Sequence, residues 1–258
     1  MSEHVLDFER EGSVAVLRLN RPARLNAMNT QLLNELTEAV KEIRRDDEIR
    51  VYLVTGAPRA EGGPCFSAGV DLKEAAEGGL RPGNPGGRLT NMIDDLWKPS
   101  IAVIDGVCTT GALEIAMACH MRIVGESAQI SDWHLKRLGS GLGGWGASTR
   151  LPRLVGLAKA REIILTGMVI NGPEAVRIGL ANRVFASDRI WEEAMNMALA
   201  IAEMSPRGVR TTQEHLARTM DLSKEESLGY AKQVREMLMP NRTFEDAARG
   251  VLDSSRKS

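Results

Sequence analysis

The strongest periodic run of apolar positions lies between Thr30 and Arg45. There Leu32, Leu33, Leu36, Ala39, Val40 and Ile43 recur at three- and four-residue spacing, with Glu35, Glu38, Lys41, Glu42 and Arg44 on the other face. This pattern predicts a helix with one buried stripe, and Thr30 is the expected N-cap. Shorter runs at about Val5–Glu9, Val14–Asn20, Arg50–Thr55, Ser100–Asp105, Met121–Gly125 and Ala181–Phe185 read as strands. Helical stretches separate these runs, so an α/β fold with parallel pairing follows. From about Asp188 the strand signal stops. Helical patterns then cover Arg189–Met204, Pro206–Thr219 and Lys224–Met239, the second opened by Ser205 and Pro206 as N-cap and first-turn proline. A last short helix is expected at Thr243–Asp253, ahead of the basic pair Arg256 and Lys257. The predicted division is an α/β core over residues 1–187 and a C-terminal helical region over residues 188–258.

Charge narrows the choice of partners. With 33 basic and 34 acidic side chains the net charge is −1, and no footprint for nucleic acid or a membrane surface is expected. Four Phe and two Tyr leave little material for stacking bases. No apolar run approaches the length of a membrane helix, and the opening Met-Ser-Glu-His-Val-Leu-Asp lacks the apolar stretch of a signal peptide. Cys65, Cys108 and Cys119 are widely spaced and form no CxxC pair. They read as reduced thiols of a cytoplasmic protein, with neither disulfide nor metal site expected.

Two glycine-rich stretches interrupt the pattern. Residues Gly78 to Gly87 read as a loop by composition, placed to shape a pocket or to serve as a surface insertion. Gly139-Ser-Gly-Leu-Gly-Gly144 fits G-x-G-x-x-G. A dinucleotide site needs a strand before that motif and a ribose-binding acid after it. The charged stretch Asp132–Arg137 before it supplies no such strand, so a tight loop entering a helix around Arg150–Leu154 is expected instead.

The chemistry concentrates in two turns. Phe66-Ser-Ala-Gly-Val-Asp-Leu72 and Gly106-Val-Cys-Thr-Thr-Gly-Ala-Leu-Glu114 are each an apolar strand ending in small residues before a helix. Gly and Ala leave room for a ligand atom beside the main chain. Two such turns face to face could give two N–H donors to one carbonyl oxygen, which is an oxyanion hole. Glu114 begins the otherwise apolar helix Ala112–His120. A carboxylate there favours the helix dipole, and partial burial would equally suit it to general acid or base work.

These segments resemble, in order and spacing, the signature of the crotonase (enoyl-CoA hydratase/isomerase) superfamily. Asn20-Arg-Pro-Ala-Arg-Leu-Asn-Ala-Met-Asn29 is similar to its N-R-P-x-x-x-N-A-L/M segment, and Leu151–Gly156, Thr166–Ala175 and Phe244–Ala247 match later ones. The resemblance implies a crotonase-like spiral of ββα repeats with a C-terminal helical extension used for trimerisation. It implies a homotrimer or homohexamer and an acyl-CoA substrate, with no cofactor beyond the CoA that the substrate carries. Val70 and Gly111 become the oxyanion donors, each worth roughly 3–4 kcal/mol in a transition state. Arg24, Asn26, Ala27, Ala68, Asp71 and Leu72 fall on the CoA side, where Arg256 and Lys257 could also meet phosphates, and Trp133 and Trp145 are candidates for the acyl pocket.

One departure bears on the reaction. Family hydratases generally carry a second glutamate in a segment like F-G-x-P-E-x-x-x-G, and the stretch Ile130-Ser-Asp-Trp-His-Leu-Lys-Arg-Leu-Gly139 has none. Asp132 and His134 are the titratable candidates for that role. Enoyl-CoA hydratase is the leading expectation. A 3,2-enoyl-CoA isomerase using Glu114 alone, a crotonase-type hydrolase and a non-catalytic acyl-CoA-binding scaffold stay open.

Overall fold

The central strands of the large sheet, Val14–Leu19, Val51–Gly56, Ser100–Ile104 and Met121–Gly125, pack apolar side chains on both faces, and that sets the architecture. The computed structural model describes residues 4–79, 84–239, 245, 246, 248, 249 and 252. The elements run β1 (Leu6–Glu11), β2 (Val14–Leu19), α1 (Thr30–Arg45), β3 (Val51–Gly56), β4 (Cys65–Ser67), α2 (Leu72–Ala76), α3 (Pro85–Asp94), β5 (Ser100–Ile104), β6 (Val107–Thr109) and α4 (Gly111–Ala118). They continue with β7 (Met121–Gly125), β8 (Gln129–Ser131), α5 (His134–Leu138), α6 (Ala147–Val155), α7 (Leu157–Thr166), α8 (Gly172–Arg177), β9 (Arg183–Phe185) and α9 (Ile190–Ala202). The helices α10 (Pro206–Thr219) and α11 (Lys224–Leu238) follow.

A six-stranded sheet takes the order β1-β2-β3-β5-β7-β9, antiparallel at β1–β2 and parallel elsewhere. Along its central strands the side chains alternate between two cores. Ala15, Leu17, Tyr52, Val54, Ala102, Ile104 and Val124 join α1 and α4 on one face, and Val14, Val16, Val51, Leu53, Ile101, Val103 and Ile123 join α9 on the other. Burial on both faces is why these strands read as continuous apolar runs.

A second, three-stranded parallel sheet has the order β4-β6-β8. Each ββα repeat gives its first strand to the large sheet and its second to the small one, so β3–β4, β5–β6 and β7–β8 are successive turns of a spiral.

Three expectations change in detail. The N-cap of α1 is Asn29, whose side chain accepts the Leu32 N–H, rather than Thr30. Gly78–Gly87 is not all loop: Asn84 caps α3, which starts at Pro85, and residues 80–83 lie outside the described residues. The boundary expected at residue 187 moves, because the compact units are Met1–Glu203 and Met204–Ser258. Helix α9 belongs to the first unit since Ile190, Ala194, Met195, Ala198 and Ala202 fill the second face of the sheet. In the second unit Ser223 closes a capping box with Glu226 at the start of α11. Of the expected last helix, positions 245, 246, 248, 249 and 252 are described and helical, and Phe244, Arg256 and Lys257 lie outside the described residues. Among the described residues no helix is long and apolar enough to cross a membrane.

Candidate active site

The carboxyl ends of β4, β6 and β8 lie side by side, and the segment after each supplies one part of a cleft. Val70 follows β4, Gly111 follows β6, and Asp132 and His134 follow β8. Ser67 pairs with Cys108 and Thr109 with Ser131, so the register of the small sheet fixes the spacing of the three.

The first turn is clamped from behind by the segment resembling N-R-P-x-x-x-N-A-M. Met28 N–H donates to Gly69 O at 2.7 Å, and Asp71 N–H donates to Met28 O at 2.9 Å, forming a parallel bridge to Val70. In such a bridge the intervening residue turns its own N–H the other way, toward the cleft. Asn26 is fully buried and laces the same frame, its Nδ2 donating to Ala57 O, Cys65 O and Phe66 O. Gly69 has φ +92, and a Cβ there would meet Thr110 Oγ1 at 2.2 Å, so only glycine fits where the two turns touch. Thr109 Oγ1 closes the contact by donating to Ala68 O at 2.9 Å.

The second turn carries strain. Thr110 has φ 50 and ψ −117, a sparsely populated conformation for a β-branched residue. It is held by its N–H on Ser131 O at 3.1 Å, and it aims the N–H of Gly111, the first residue of α4. Among the described residues neither the Val70 nor the Gly111 N–H has an internal acceptor. Both residues line one cleft with Ala68, Leu72, Trp133 and His134.

Glu114, 1% exposed, sits one helical turn past Gly111. Its Oε1 accepts the N–H groups of Trp145 at 2.8 Å and Ala147 at 2.9 Å. Its Oε2 faces His134 Nε2 at 3.4 Å. On the far side of the imidazole, Nδ1 lies 2.8 Å from Asp132 Oδ1. Burial works against the imidazolium, but hydrogen bonds to Asp132 and Glu114 and their charges outweigh it, and His134 is pushed up to about 9. Asp132 Oδ2 is buried without a partner among the described residues.

The structure therefore brings Glu114, His134 and Asp132 together in one line beside both oxyanion turns. Ala68, Leu72 and Trp133 are on the cleft wall. Asp71 instead caps α2 and pairs with Arg21 at 2.9 Å; burial opposes its ionisation, yet the Arg21 contact and the α2 N–H groups hold it below its ordinary value. The Ala27 carbonyl takes a second hydrogen bond from Arg21, and the Arg24 side chain is exposed outside the cleft lining. Trp145 does not line the cleft: its indole is in the core against Gly86 and Gly111, and its contribution is the backbone N–H to Glu114.

Sequence reading missed the cradle around Glu114. The run Gly139–Gly144 is the signal that could have found it, because a Cβ on Gly143 would stand 2.5 Å from Glu114 Oε1. The glycines let that loop pass close enough for the next N–H groups to reach the carboxylate.

Two N–H groups without internal acceptors, in one cleft with a buried carboxylate–imidazole pair, suit an enzyme that stabilises an oxyanion while moving a proton. The chain belongs to the enoyl-CoA hydratase/isomerase family, which it matches over residues 9–252. It is 34% identical over 228 residues to the short-chain-enoyl-CoA hydratase of Clostridium acetobutylicum, covering 86% of this chain and 85% of that protein. The crystal structure of an enoyl-CoA hydratase from Bacillus anthracis superposes with a TM-score of 0.88 at 30% identity, over 98% of this chain and 96% of that one. A monofunctional enoyl-CoA isomerase from M. smegmatis superposes with a TM-score of 0.74 at 30% identity, over 87% and 98% of the two chains.

Proposed function

We propose that this enzyme adds water across the double bond of a 2-enoyl-CoA thioester, with Glu114 and His134 as its acid–base pair. The observation that carries the reading is the 3.4 Å approach of His134 Nε2 to Glu114 Oε2 beside the Val70 and Gly111 N–H groups. The two donors would hold the thioester oxygen and stabilise the enolate that forms there. Glu114 as carboxylate takes a proton from water while the water oxygen bonds to Cβ and the π electrons move to the thioester oxygen. His134 as imidazolium then gives its proton to Cα as the enolate collapses. Transfer of the captured proton from Glu114 to His134 restores the pair, so the net change is the addition of one water.

This scheme needs no cofactor beyond the CoA of the substrate, and Arg24 with the main chain at Asn26 and Ala27 is assigned to the CoA side. Assembly as a homotrimer or homohexamer through the C-terminal helices, and a cytoplasmic location, belong to the same proposal. Two acid–base groups favour hydration over a 3,2-isomerisation, for which one base is enough. The test is hydration of crotonyl-CoA by the intact protein. Hydration that falls about 10²-fold in Glu114→Gln and in His134→Asn supports the scheme. Release of free CoA, faster conversion of a 3-enoyl-CoA than hydration, or tight acyl-CoA binding without turnover would each replace it, by hydrolase, isomerase or scaffold respectively.

A further inference from the structure

We propose that Arg137, stacked on Trp133 in the cleft wall, receives a carboxylate borne by the acyl group, so that the substrate class is a carboxylated acyl-CoA thioester. This rests on the acyl-CoA reading above. Arg137 lies on α5, three residues past His134, and lines the same cleft as Val70, Gly111 and His134. Its guanidinium carbon is 3.8 Å from the centre of the Trp133 ring. The indole is itself fixed, because Nε1–H donates to Gly167 O at 3.0 Å. A guanidinium stacked through its face keeps its in-plane N–H donors available, and that fork matches the two oxygens of a carboxylate.

The cleft offers Arg137 no carboxylate of its own. Glu114 is engaged by Trp145, Ala147 and His134, and Asp132 by His134. Among the described residues Arg137 makes no ion pair, while the neighbouring wall is apolar at Ala68, Val70, Leu72 and Leu138. The Arg137 side chain is itself exposed, so an incoming anion can reach the guanidinium, and the contact with Trp133 holds the fork in place. A plain alkyl chain would leave those donors to water.

The test is binding, which does not depend on turnover. Glutaryl-CoA and butyryl-CoA differ at the acyl terminus by a carboxymethyl in place of a methyl, and calorimetry gives Kd for each. The intact protein should prefer glutaryl-CoA, and Arg137→Met should lower the preference by about five-fold, the scale of an exposed charge pair. Arg137→Lys should recover part of it. Lys136→Met, which removes an equal charge from the adjacent exposed residue, should leave the preference unchanged. A preference identical in the intact protein and Arg137→Met overturns the proposal. So does an equal loss of affinity for both esters that vanishes with the pantetheine thioesters, since Arg137 would then be holding a CoA phosphate. Either result leaves crotonyl-CoA hydration as the separate criterion for the hydratase reading.

Discussion

One oxygen of Asp132 holds His134 twice. Oδ1 accepts the His134 backbone N–H at 3.0 Å and lies 2.8 Å from the ring Nδ1. The ring therefore cannot turn without breaking a hydrogen bond in a site where both residues are buried, and Nε2 is left pointing at Glu114. A carboxylate behind an imidazole both orients it and favours its protonated form.

Replacing Asp132 by Asn keeps the shape and removes the charge. Hydration should lose activity at alkaline pH as the imidazolium disappears, near pH 9 in the wild type. In Asp132→Asn that limb should move to lower pH, with kcat at neutral pH down by roughly ten-fold or more. A pH–rate profile checks both, and an unmoved limb would show that Asp132 has no influence on His134.

The same shift links stability to pH. His134 is raised in the folded state, from 6.5 to about 9. A raised folded value stabilises the protein fully below the unfolded value, and that contribution is lost as pH rises through the folded one. Denaturant unfolding should therefore show stability falling between about pH 6.5 and pH 9. The fall should be smaller in His134→Asn, which has no proton to lose there.

Glu114→Gln separates the two catalytic roles. The amide carbonyl can still accept from Trp145 and Ala147, so the fold should be retained. Hydration should drop about 10²-fold because no base activates water, while exchange of the Cα proton of a saturated acyl-CoA with deuterium should persist through His134. His134→Asn should suppress both. Exchange lost in Glu114→Gln and kept in His134→Asn would reverse the assignment.

Gly69→Ala tests the turns. A Cβ at Gly69 meets Thr110 Oγ1 at 2.2 Å and Thr109 O at 2.8 Å, and the backbone there has φ +92. Relief requires one turn to move, so the donors lose their common target. Turnover should fall roughly 10²–10³-fold, the effect of losing one oxyanion donor, and thermal unfolding should shift downward as well. Wild-type activity in this variant would remove the oxyanion role from the Val70 turn.

Assembly gives a further measurement. Leu216 of α10, Met220 just past its end, and Leu228 and Met237 of α11 are exposed apolar side chains, the kind of surface that marks association. Light scattering should report a trimer or hexamer, and ending the chain after Met239 should weaken it. A monomer would exclude that arrangement.

Much of this molecule was legible in the sequence because the large sheet is buried on both faces. Runs such as Val51–Gly56 and Ser100–Ile104 announce themselves by continuous hydrophobicity. The small sheet was harder: Val107–Thr109 and Gln129–Ser131 are too short to show a period, and their strand character comes from pairing with each other. Glu114 and the two turns stood out by residue type. The roles of Trp145 and Ala147 did not, since they act through backbone N–H groups that any residue possesses. Whether Asp132 or His134 faced Glu114 depended on which way two side chains two residues apart would turn, and that is settled by Asp132 Oδ1, which accepts the His134 backbone N–H and holds the ring Nδ1.

On the proposed scheme the three adjacent strand ends divide the labour of the enzyme. The first two grip, through main-chain atoms that tolerate little change in position. The third presents side chains on a short helix whose composition is not dictated by the grip. A lineage could exchange the tool held at the third station while keeping the vise formed by the other two. The place to look for what distinguishes this enzyme from its kin is then a five-residue helix, His134–Leu138, and not the turns by which the kinship is recognised.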